Sequence, residues 1–323
     1  EVPPLTSPPA TLRPPSPLRH PMATVTPAPP ALWSAASEGQ VDEVRRLLAD
    51  GKEVEERGGD KASTALYEAA RMGRDAVVRL LLKHGALVSA TAKGGDTALH
   101  AAALAGHVAV VRLLIGAGAE VSARDNDGGS PLHGPVLQGH MEVIKLLLSK
   151  GTEVSAQNNV GATPLHHASF RGREAVAREL LAHGANVAAR NKDGGMPLHF
   201  AALMGHGALV RLLLDKGADI SGKADDGFTP LHFVCLMGQE AVARQLMHQG
   251  ADILATSHDG KTPEDIAAIR SHVAIVAMLK AEAVRVRRAQ CEAFAMGYQE
   301  RLGGESLVQE LDAGVVRMVL EHL

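Results

Sequence analysis

Histidine is the residue that first suggests chemistry. The chain carries 16 of them in 323 residues, and His100, His133, His166, His199 and His232 follow one another at intervals of 33. Imidazole is the commonest metal ligand in proteins and titrates close to neutrality, so a recurring histidine raises the idea of a zinc site or a proton relay. The spacing weighs against zinc. Residues that recur once per structural unit sit one unit apart, and packed helices lie roughly 8–10 Å from axis to axis. The ligands of one zinc ion must each lie ~2 Å from it. A structural task is expected instead, with each ring hydrogen-bonded to nearby backbone. The two cysteines divide similarly. Cys235 stands where equivalent positions hold small residues, which predicts a buried apolar filler. Cys291 has Arg287 and Arg288 close by, a setting that lowers a thiol pKa, but no base or second catalytic group accompanies it.

Other catalytic signatures are missing from the sequence: GxxxxGK[ST], GxGxxG after a strand, GxSxG and HExxH do not occur. The 33 Lys+Arg nearly balance the 36 Asp+Glu, so no broad basic field draws in nucleic acid or an anionic membrane. The most apolar window, 101–119, is broken by His107 and Arg112, against a membrane span. With only two cysteines a disulfide framework is ruled out, and an intracellular protein, cytoplasmic or partly nuclear, is expected. No enzyme activity, cofactor, metal or small-molecule substrate is predicted.

What must position the histidines is a repeat. Leu99, Leu132, Leu165, Leu198 and Leu231 keep the same step of 33, as do three glycine series. These run from Gly95 to Gly260, from Gly106 to Gly238 and from Gly85 to Gly250. Each period reads as turn, helix, turn, helix. Asp193–Gly194 marks a tight turn. Thr163–Pro164 and Thr229–Pro230 supply a capping hydroxyl and a proline at the first helical position. A short helix follows and stops at Gly172 or Gly205. A second helix carries apolar residues at helical spacing, such as Val143, Ile144, Leu146 and Leu147, and ends at Gly151 or Gly217.

Segments such as GATPLHHASFRGREAVARELLAHGANVAA and GFTPLHFVCLMGQEAVARQLMHQGADI resemble ankyrin repeats. The resemblance covers about residues 31–280 and implies an all-α solenoid of about eight 33-residue units, each a β-turn plus two antiparallel helices. The units begin near Ala31, Gly58, Ala92, Asp125, Asn158, Asn191, Ala224 and Ser257, and the first and last are atypical, as capping repeats are. The resemblance also implies that the repeated His fixes the turn. Departures are specific. Ala65 and Ala98 replace the helix-starting Pro, Met196 replaces the capping Thr, and Thr262 with Asp265 can form a capping box. Pro135 falls inside the first helix of the fourth unit, where its missing N–H and ring clash predict a late start or a kink.

The flanks read differently. Eleven of residues 1–30 are proline, which predicts an extended or disordered segment, either a tether or a ligand for SH3 or WW domains, with Ser7–Pro8 and Ser16–Pro17 as phosphorylation candidates. Residues 281–323 are helical in pattern around Gly303–Gly304. Either they cover the last repeat, or the stretch LDAGVVRMVLEHL docks a partner, faintly similar to an F-box helix.

Function is then expected to be that of an interaction scaffold or adaptor, gripping a protein partner on the concave face that the resemblance implies. The positions that vary between units carry the specificity. At the first-helix ends these are Phe170 with Arg171, Leu203 with Met204, and Leu236 with Met237. At the turns they are Lys192 and Asp193, then Asp225, Asp226 and Phe228. If exposed, the first group forms an apolar ridge; if tucked beneath the second helices, it is core. Phe200 and Phe233 are open to the same two readings. The alternatives to an adaptor are a spacer or regulatory arm of a larger polypeptide, or a ubiquitin-ligase-type substrate adaptor using the C-terminal helix.

Overall fold

Each 33-residue period folds as a helix pair because its turn residues stop the chain twice and its leucines give each helix one apolar face. The computed structural model describes residues 31–59 and 61–301, with side chains from 32 to 289. The expectations for the proline-rich segment 1–30 and for the stretch beyond 301 lie outside the described residues. So does the Cys291 side chain.

Among the described residues, sixteen helices follow one another in eight pairs. They are α1 (Ala31–Glu38) with α2 (Val41–Ala49), α3 (Ala65–Arg71) with α4 (Asp75–Lys83), and α5 (Ala98–Ala105) with α6 (Val108–Gly116). Next come α7 (His133–Gln138) with α8 (Met141–Ser149), and α9 (Pro164–Arg171) with α10 (Glu174–Ala182). The last three are α11 (Pro197–Leu203) with α12 (Gly207–Asp215), α13 (Pro230–Met237) with α14 (Glu240–His248), and α15 (Pro263–Ile269) with α16 (Val273–Arg301). Helix α16 passes position 280 without a break. One feature departs from an all-helical reading: β1 (Arg57–Gly58) pairs antiparallel with β2 (Ser63–Thr64) in the connection to α3.

The chain forms two compact units. The first runs to Ala201 and takes back Ala208–Asp219, and the second comprises Ala202–Gly207 and the chain from Ile220 onward. The cores repeat with the sequence. In the first unit Leu66, Leu99, Leu132, Leu165 and Leu198 are fully buried, or within 1% of it, as are Leu81, Leu114, Leu147 and Leu180 on the second helices. In the second unit Leu231, Val234, Leu246, Ala267 and Ile275 take those roles. A buried leucine contributes about 1.5–3 kcal/mol relative to exposure, so these rows supply most of the driving force.

Glycine acts in two ways. Gly118 has φ +89° and open space where a Cβ would stand, so it serves the left-handed turn alone. Gly106 has φ +80°, and a Cβ there would lie 2.7 Å from Nδ1 of His140 in the next pair. Its series therefore also admits the neighbour.

Pro135 has the predicted consequence. Helix α7 begins at His133, two residues later than Pro164 in α9 at the equivalent position, and spans only six residues. The carbonyl of Pro135 still accepts from Gly139 (2.7 Å) and His140 (2.9 Å), which closes the helix normally. At the first pairs a polar brace replaces the repeat motif. Glu68, 2% exposed, accepts from Ser63 Oγ (2.9 Å) and Arg71 Nε (2.7 Å), and Trp33 Nε1 donates to Ser63 (2.9 Å).

Candidate interaction surface

The histidines set the geometry of the surface. In His166, Nδ1 accepts from the Thr163 backbone N–H (3.1 Å), so the proton resides on Nε2, which donates to the Gly195 carbonyl in the turn of the next pair (3.0 Å). His100 and His133 repeat the arrangement onto the carbonyls of Gly129 (3.2 Å) and Ala162 (3.3 Å), and in the second unit His232 reaches that of Lys261 (3.1 Å). The rings of His100, His166 and His232 thus close their own helix starts, as halves of capping boxes with Thr97, Thr163 and Thr229, and all four rings tie on the turn that follows. Burial keeps His100, His133 and His232 below the ordinary imidazole pKa and holds His166 at about 4. Tyr67 stands in the histidine register of the second pair and reaches the Asp96 carboxylate (2.8 Å) instead. The predicted Thr262–Asp265 capping box is present, with reciprocal bonds of 3.2 and 2.8 Å.

The turns are tied in the same way. In the first unit Asn126 N donates to Gly94 O (2.9 Å), Asn159 N to Asp127 O (2.7 Å) and Lys192 N to Val160 O (3.0 Å). In the second, His258 N donates to Asp226 O (2.9 Å). The Asn126 and Asn159 side chains add to this ladder, with Nδ2 donating to the carbonyls of Lys93 (3.1 Å) and Asn126 (2.8 Å). Lys192 and Asp225 are exposed, Asp193 and Asp226 half-buried, and Val160 exposed. Asp226 Oδ1 accepts from the Phe228 N–H (2.9 Å), and the Phe228 ring packs 5.1 Å from His232 and 5.5 Å from Phe233. Phe233 is buried, while Phe200 and Phe228 are half-buried.

At the first-helix ends the expected ridge residues separate. In the second unit Met204 (37%) and Met237 (50%) are exposed, Leu236 is half-buried, and Leu203, at 7%, is turned into the core. Adjacent residues on a helix point about 100° apart, so Leu203 and Met204 meet different surroundings. In the first unit Phe170 is half-buried, with the exposed Arg171 guanidinium 6.0 Å from its ring. Met72, in the register of Met204 and Met237, also lies exposed, as do Leu104 (46%) and, in the second unit, Ile269 (41%), in the register of Phe170, Leu203 and Leu236. The signal for them was present: Ile269 is 33 residues beyond Leu236, and Leu104 is 66 before Phe170.

Cys235 is fully buried and its thiol is pushed up to about 12 by burial alone. Among the described residues no three His, Cys, Asp or Glu side chains are placed to share a metal ion, and no helix is long and apolar enough to cross a membrane.

Fold and surface together define a tandem helix-pair protein whose turns and helix ends are braced and presented repeatedly. Family models for ankyrin repeats match residues 26–92, 87–158, 136–224 and 208–246. The chain belongs to the ankyrin-repeat family, whose members generally mediate protein–protein interaction. It is also 44% identical over 57 residues to a protein of Treponema pallidum (strain Nichols) described as ankyrin repeat-containing; that stretch covers 18% of this chain and 19% of the relative.

Proposed function

We propose that this chain is an interaction scaffold that binds a partner protein through the ends of its first helices and the adjoining turns. The carrying observation is that exposed apolar side chains recur at two adjoining repeat positions, at the first-helix ends, in each compact unit. These are Met72 and Leu104 in the first unit, and Met204, Met237 and Ile269 in the second. Exposed apolar side chains that recur at the same helix ends suit contact with another protein, and methionine offers adaptable contact area. Phe170 with Arg171 adds an aromatic and a cation of the kind that anchors interfaces. The turn residues Lys192, Asp193, Asp225 and Asp226 supply a polar rim, and Phe228 supports it. The backbone ladders beneath are already hydrogen-bonded, so little ordering free energy is spent on binding. Cysteine usage supports a reducing, intracellular setting.

Proximity labelling in cells tests the proposal by comparing the intact chain with Phe170→Ala, Met204→Glu and Met237→Glu. Loss of a defined protein set, with the thermal melt unchanged, is the expected result. An unchanged set would overturn the reading.

A further inference from the structure

His167 departs from the pattern of its repeat position. Two residues that follow a repeated histidine lie against the histidine ring of the preceding pair. Phe200 meets the His166 ring edge-on, with centroids 5.5 Å apart and planes at 82°. His167 meets the His133 ring at 5.5 Å and 83°. The geometry is the same, but at 200 the inserted ring has no polar atom. At 167 it carries Nε2, which is buried and has no hydrogen-bond partner. Ser169 Oγ, on the same helix α9, is buried and unpartnered as well. The helix beneath them, α7, is the six-residue one that contains Gly134 and Pro135.

The groups bearing on His167 all oppose a positive charge. His133 faces it from α7, and His166 and Arg171 act from α9 itself. Helix α10 contributes buried Val176, Ala177 and Leu180, and no carboxylate bears on the ring. Burial first, then these neighbours, hold the imidazole at about 3. A phenyl ring would fill the site without this liability, as Phe200 does one pair later.

We propose that His167 is an acid-sensitive gate beneath Phe170 and Arg171, whose protonation drives α9 away from α7 and withdraws that docking point. The two residues lie three and four positions further along α9, on the face of His167. The inference rests on reading them as a docking point. At neutral pH the ring is uncharged and the joint closed. The residue is half-buried, but in acid a proton on Nε2 has no partner where it sits, and that nitrogen gains one only if α9 leaves α7.

Hydrogen exchange of the full chain at pH 7 and pH 5, corrected for intrinsic rates, tests this. Local opening of α7–α9 is expected to rise roughly 25-fold more in the wild type than in His167→Phe, from a ring with an ordinary value of 6.5 held at about 3. His167→Phe copies the Phe200–His166 pair and keeps only the part of the rise that the buried His133 and His166 supply. An equal rise in the wild type and His167→Phe would overturn the gate. An NMR titration of the wild-type ring gives a second readout: titration near pH 6.5 would equally refute it. Neither readout needs a partner, so a Phe170→Ala variant that binds normally would remove the docking reading and leave the acid response standing.

Discussion

Replacing His166 with alanine tests the histidine bracing where it is deepest. The side chain is 2% exposed and bonds both the Thr163 N–H and the Gly195 carbonyl, whose residues are buried. Alanine leaves the Thr163 N–H unpaired, at a cost of about 1–3 kcal/mol, while the Gly195 carbonyl keeps the Asn191 N–H (2.9 Å). The vacated ring volume adds a cavity contribution. A loss of roughly 2–4 kcal/mol is expected, a large share of a stability that is typically about 5–15 kcal/mol. His107→Ala is the control: its Nε2 bonds the carbonyl of exposed Arg71 (3.0 Å), where water can substitute, and roughly 1 kcal/mol or less is expected. Urea titrations followed by circular dichroism measure both, and hydrogen exchange should localise the His166→Ala loss to the turn at 191–196. Equal effects of the two variants, or a loss below about 1 kcal/mol for His166→Ala, would refute the reasoning.

Three further outcomes follow from the same geometry. The folded value of His166, about 4, lies below the ordinary 6.5, so the unfolded chain binds the proton first as pH falls. Stability is therefore complete above pH 6.5 and is lost down to pH 4, by about 2 kcal/mol from this residue at pH 5, and chemical denaturation across that range should show the slope. Gly106→Ala meets both a φ of +80° and the His140 ring, whereas Gly118→Ala meets only its φ of +89°; roughly 2–4 kcal/mol is expected for the first and about 1 for the second, by thermal melts. Pro135→Ala should restore an N–H and extend α7, with slower amide exchange over 131–138 and a gain of about 1 kcal/mol.

The repeat was legible because its signals are local. The glycine and leucine series fix where helices stop and which face is buried, and Pro135 announced the short α7. Other features depended on contacts between pairs. That His166 reaches forward to Gly195 follows from the stacking of one pair on the next, which no single period encodes. The division of Leu203 from Met204 depended on what packs around each, since Leu104 and Ile269 hold the repeat position of Leu203 and are exposed. Tyr67 was unremarkable by type, yet it occupies the histidine register and finds Asp96 there. The β1–β2 ribbon arises in an irregular connection outside the repeat pattern, where periodicity has no purchase. His167 looked like one more histidine until its ring was seen over His133 without a partner for Nε2.

The central claim is that the first-helix ends contact a partner protein, and site-specific photo-cross-linking tests it most directly. A photoreactive residue would be placed in turn at Met237, at Phe170 and at Arg112, the last an exposed residue on the second helix α6. The account predicts one shared cross-linked protein from positions 237 and 170 and none from 112. Cross-links that arise from 112, or from all three positions alike, would contradict it.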